Sequence, residues 1–128
     1  SGMIMRETVL LINFQDQKRL RELKMILFTL KIRMKKVEKE DYLQQIGYLA
    51  GIKEMEGIES VYKGEELEKE MMVFAGISNQ RLDQILLMMR KNGVKRVDYK
   101  AILTETNKTW TVPRLYEEIS KEHEQMHQ

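Results

Sequence analysis

Cysteine is absent, proline occurs once and histidine twice. Without thiols there is no disulfide, no thiolate nucleophile and no thiolate zinc site, which fits a reducing compartment and leaves His, Asp and Glu as the metal ligands on offer. Long apolar runs are also missing. The longest nearly apolar stretch, Met25 to Leu30 with Thr29 inside it, falls far short of the ~20 residues a membrane-spanning helix needs, and no signal-peptide pattern opens the chain. The expectation is a cytoplasmic protein with no membrane partner. Neither sign of charge dominates: Lys+Arg 22 against Asp+Glu 20 gives +2, so nucleic acid would have to be held by a local patch. No G-x-G-x-x-G or Walker-type loop occurs, which removes the common modes of nucleotide binding, and no cofactor is implied.

What is present is enough for one ordinary globular domain: 128 residues, 42% hydrophobic and 33% charged. Ser1-Gly2 reads as a cleaved-tag scar, leaving 3–128 as a single domain. Thr8 to Phe14 is a β-branched, apolar run of the length of a strand buried on both faces, and Asp16 follows as a helix N-cap. Leu20, Leu23, Leu27 and Leu30 line one helical face. Ile32 to Val37 alternates as an edge strand, and a short helix opening at Glu40-Asp41 buries Leu43, Ile46 and Leu49 before Gly51 caps it. Residues 52–70 lack periodicity. Their seven glutamates outnumber three lysines, the mark of a solvated acidic linker with nothing to pin it.

After the linker the grammar repeats: Met71 to Ala75 as strand, Ser78 as N-cap, a helix with Leu82, Ile85, Leu86 and Met89 inward, Gly93 at its end, and a strand from Val97 to Thr104. Shifted by 62 positions, Arg19-Leu20 falls on Arg81-Leu82 and Asp16 on Ser78. Thr111 caps a last helix with Pro113 in its first turn and Leu115, Ile119 and Met126 inward. The expected fold is therefore α/β: two consecutive β-α-β-α units, pseudo-repeat halves 7–51 and 71–126, form a mostly parallel four-stranded sheet of order 2-1-3-4 with flanking helices. An α+β sandwich with an antiparallel edge is the alternative.

Three features bear on chemistry. Between the last strand and last helix, Thr104, Thr106, Asn107, Lys108, Thr109, Trp110 and Thr111 form a dense donor set. At the carboxyl edge of a parallel sheet these would receive a small anion, with Lys108 as electrostatic clamp and Trp110 as a flat wall. The same residues also serve as ordinary loop and capping residues. Second, basic clusters that include Lys35, Lys36, Arg90, Lys91, Lys95 and Arg96 lie around the two helix-to-strand turns; at one sheet end they would combine into a nucleic-acid surface. Third, His123-Glu-Gln-Met-His127 satisfies H-E-x-x-H, but these are the only histidines and no downstream ligand follows, so no metal site is assigned. The ten methionines suit an irregular core, and a Met and Leu face left open would support a homodimer.

The run Lys100-Ala-Ile-Leu-Thr104, then Thr106-Asn-Lys108, Trp110 and a helix through Leu115 to Glu118 resembles an uncharacterised Firmicutes family known as a domain of unknown function (family 3783). The resemblance covers about Met71 to Glu124 on a K-A-x-x-T-x-x-N-K-x-W core. It implies a bacterial, cytoplasmic setting and brings no activity. No nucleophile-base-orienter set is recognisable. The leading expectation is thus a non-catalytic interaction or regulatory domain with a protein partner or second copy. The rivals are a small-anion-binding protein or enzyme at Thr104–Thr111, and RNA binding through the basic turns.

Overall fold

A computed structural model describes residues 5–127; Ser1-Gly2, read above as a scar, lies outside them. In chain order the elements are β1 (Thr8–Ile12), α1 (Gln17–Thr29), β2 (Arg33–Val37), a 3₁₀ turn (Lys39–Asp41), α2 (Ile46–Ala50), β3 (Met71–Ala75), α3 (Asn79–Lys91), β4 (Tyr99–Ile102), a second 3₁₀ turn (Asn107–Thr109) and α4 (Val112–Met126). Every residue of β1 and β3 is buried, which requires cover on both faces. Alternate side chains of these strands feed two cores. Leu10, Ile12, Met71 and Val73 join Ile46, Leu49, Val112 and Leu115 of α2 and α4. Val9, Leu11, Met72 and Phe74 meet Leu23, Leu27, Ile85 and Met89 of α1 and α3. Helices, sheet and helices thus stack in three layers.

The strand order β2-β1-β3-β4 puts β1 and β3 in the centre. β1–β2 and β3–β4 are parallel, but the central pair is antiparallel, with Thr8 opposite Ala75 and Ile12 opposite Met71. The sheet is therefore mixed. Strands buried on both faces carry no alternation that records direction, and the long connection 51–70 lets β3 enter from either end. This reversal places the α1–β2 and α3–β4 turns at opposite ends and on opposite edges of the sheet, so the expected merger of the two basic clusters does not occur.

Matching details recur along the chain. Asp16 and Ser78 cap α1 and α3 through side-chain oxygens. Asn13 and Gly76, just past β1 and β3, take φ of 63° and 67°, and Lys31 and Gly93, just past α1 and α3, take 59° and 67°. Arg19 and Arg81, at the same place in the two helices, each grip the residue ahead of the other half's first strand. Arg19 Nε and Nη2 donate to Glu70 at 2.8–3.0 Å, and Nη1 donates to the Lys95 carbonyl at 2.8 Å. Arg81 Nε and Nη2 donate to Glu7 at 2.9 and 3.1 Å, and Nη2 also donates to the Leu30 carbonyl. Each guanidinium therefore ties its own helix to the other half's strand entry and helix-to-strand turn.

Residues 52–70 are not a loose linker. Gln44 accepts from the Ile58 N–H at 2.8 Å and donates to its carbonyl at 2.7 Å. Tyr62 packs on Tyr42 with ring centres 5.4 Å apart, and Leu67 joins the α2/α4 core. Five of the glutamates face water while Glu66 and Glu70 are half-buried against the fold. Met126, expected to point inward, is 81% exposed on the last turn of α4.

Candidate functional site

The loop from Thr104 to Thr111 turns its polar atoms on itself. Asn107 is buried; its Oδ1 accepts the Thr104 N–H at 2.9 Å and its Nδ2 donates to the Ile102 carbonyl at 2.9 Å. The Asn107 N–H donates to Thr104 Oγ1 at 3.1 Å. Lys108 Nζ lies 2.6 Å from Glu105 Oε2, so its charge is balanced within the loop. Trp110 packs partly against the core with the Arg114 guanidinium 4.3 Å above its ring. Its carbonyl accepts the Ile46 N–H at 2.9 Å. Thr111 accepts the Arg114 N–H at 3.4 Å as the cap of α4 and bridges to Gln45. Thr106 and Thr109 are exposed. The segment holds α2 and α4 together at their N-termini, and the main surface hollows are lined by other residues.

Of the basic residues, Lys35 and Lys36 sit on β2 at one sheet edge. Arg90 and Lys91 end α3, and Lys95 and Arg96 follow in the turn to β4 at the opposite edge. His123 and His127 stack on one another with ring centres 4.2 Å apart, and His123 also meets Tyr99 at 5.2 Å. Among the described residues no cluster of three or more His, Cys, Asp or Glu is placed to hold a metal ion, and no helix is long and apolar enough to cross a membrane.

The concavity that sequence reasoning missed lies between α3 and β4. Leu86 and Met89 of α3, Val94 and Val97 of the turn, and the Lys100 stem line a groove of about 380 Å³, with Arg90 and Arg96 completing its wall. A second hollow of about 170 Å³ continues from it along β4, sharing Leu86 and Lys100 and adding Phe74, Leu82 and Ile102. Lys100 Nζ donates to the Val97 carbonyl at 2.6 Å. Burial pushes its ammonium below the usual lysine range, Arg96 pushes the same way, and Asp98 opposes them. Asp98 itself is shared by Arg96 at 3.7 Å and Lys69 at 3.9 Å.

The groove follows from a difference between the halves. From α1 to β2 the chain needs only Leu30 to Ile32, whereas from α3 to β4 it uses Asn92 to Asp98. The longer turn carries exposed Arg96 out to one wall while Val94 and Val97 pack into the α1/α3 core beneath it. Connection length was the signal available in the sequence, and it was hidden among lysines and arginines that read as a solvated cluster.

A polar hollow of about 240 Å³ sits at the carboxyl ends of β1 and β2, lined in part by Asn13, Lys36, Lys39 and Tyr42. Glu66 reaches into it: the Tyr42 hydroxyl donates to Glu66 Oε1 at 2.6 Å and the Leu67 N–H donates to the same oxygen at 2.9 Å. Burial first, and then this carboxylate, hold the Tyr42 phenol far above its ordinary range.

Residues 70–126, a little under half of the chain, match the model of the family described as Domain of unknown function (DUF3783), over the stretch where the Lys100–Trp110 resemblance lies. No curated protein and no solved structure matches the chain.

Proposed function

We propose that the protein is a non-catalytic binding module made of two diverged copies of one β-α-β-α unit, 7–51 and 71–126, of which the second carries the recognition site in its α3–β4 groove. The duplication is supported by the equivalent caps, the matched positive-φ residues and the reciprocal Arg19–Glu70 and Arg81–Glu7 contacts. One observation carries the functional reading: the apolar groove lies where the second half departs from the first, at the longer turn from α3 to β4. Hollows of this size and lining are the usual place for small ligands.

The Thr104–Thr111 loop serves in this reading as the clamp between α2 and α4. A thermal-shift panel of small anions, cations and neutral amphiphiles, run on the wild-type chain and on Leu86→Trp, tests the assignment. The expected result is stabilisation of the wild type by at least one class and its loss when the indole fills the groove. Stabilisation that persists in Leu86→Trp would place recognition elsewhere.

A further inference from the structure

We infer that the α3–β4 groove receives an amphipathic monoanion, a carboxylate on an apolar tail; this rests on the groove being the recognition site. The tail is specified by the lining. Half-buried Leu86 and the edges of the buried Met89, Val94 and Val97 make the wall apolar, and the adjoining hollow extends it past Phe74 and Leu82 toward half-exposed Ile102. Together they accept an unbranched chain lying alongside β4, and each CH₂ of such a chain that leaves water there strengthens binding.

The head group is specified by charge. Arg90, Arg96 and Lys100 are the ionisable residues of the larger groove, all cationic, and no carboxylate lines it. Lys100 is common to both hollows, so its ammonium stands beside the path of the tail, and its one hydrogen-bond acceptor there is a backbone carbonyl. Arg96 already shares Asp98. Arg90, like Arg96, is exposed to water, which leaves Lys100 as the cation set among the apolar side chains, and an ionised group brought into that setting must be matched closely to offset its lost hydration. A monoanion meets that condition. A dianionic phosphate would bring more charge than the half-buried ammonium can neutralise.

The first half provides an internal comparison. In the sheet Met34 lies opposite Val9 and Lys100 opposite Met72, and both inner residues face the α1/α3 core. Met34, packed against that core, therefore occupies the place in the first half that Lys100 occupies in the second.

Calorimetric titration of the full chain with decanoate, decanol and acetate, each below its aggregation range, tests the inference. Wild type is expected to bind decanoate about tenfold or more tighter than decanol or acetate. Lys100→Met, which installs the residue type of the first half, is expected to lose that preference while decanol binding and thermal stability are retained. Leu86→Trp is expected to abolish both amphiphiles. Equal affinity for decanol and decanoate, or a decanoate affinity unchanged in Lys100→Met, overturns the monoanion and leaves the groove reading standing. Decanoate and decanol binding that survive Leu86→Trp overturn the groove itself.

Discussion

Asn107 makes three hydrogen bonds to the loop that it closes: its amide satisfies the Thr104 N–H and the Ile102 carbonyl, and its own N–H is held by Thr104 Oγ1. Truncating it leaves two part-buried backbone groups without partners, and an orphaned buried group costs about 1–3 kcal/mol. Asn107→Ala is therefore expected to lower stability by about 2 kcal/mol in urea unfolding, whereas Thr109→Ala, at an exposed position, stays within about 0.5 kcal/mol. Equal effects at the two positions would show that the loop is not braced through Asn107. The donor-rich composition was legible in the sequence, but the direction of each donor was not. Thr, Asn and Lys are required alike by a loop that receives a ligand and by one that hydrogen-bonds to itself, and only backbone geometry separates the two.

Much of the element plan could be read directly. Asp16, Ser78 and Thr111 cap the helices assigned to them, and Gly51 ends α2 with φ of 97°, because side-chain oxygens and left-handed glycines act locally. Direction across the sheet centre escaped for the opposite reason: Thr8–Ile12 and Met71–Ala75 bury the same faces whichever way they run. The anchoring of 52–70 also escaped, since it depends on a few contacts through Gln44, Tyr62, Glu66 and Leu67 rather than on any periodic pattern. The arginine contacts combine both kinds of information, a repeated residue type and a long-range partner. The Arg19 side chain is 10% exposed and its pKa is raised by the bond to Glu70, so Arg19→Met leaves a half-buried carboxylate without its partner. The expected loss is about 3 kcal/mol, recovered in large part by pairing the change with Glu70→Met in a double-mutant cycle. Arg81→Met, at a more exposed contact, is expected to cost less. Additive losses for Arg19 and Glu70 would deny the coupling.

At the scale of the whole molecule, the two halves meet through an antiparallel central pair flanked by contacts that run both ways. Glu70, at the entry to β3, and Arg81 of α3 are each bound to the first half. Under the proposed duplication, the fragment 70–126 presents to a second fragment the same surfaces that it presents to residues 7–51. Analytical ultracentrifugation of that fragment is expected to find a dimer, dissociated by Glu70→Arg and restored when Arg81→Glu is added. A fragment that stays monomeric while folded would contradict the equivalence of the halves. Fusion of two such self-complementary pieces into a single polypeptide makes assembly independent of concentration. Under the same duplication it would also release the pieces from having to stay identical, so that one could keep a short turn while its twin lengthened the same turn and opened a place for a guest.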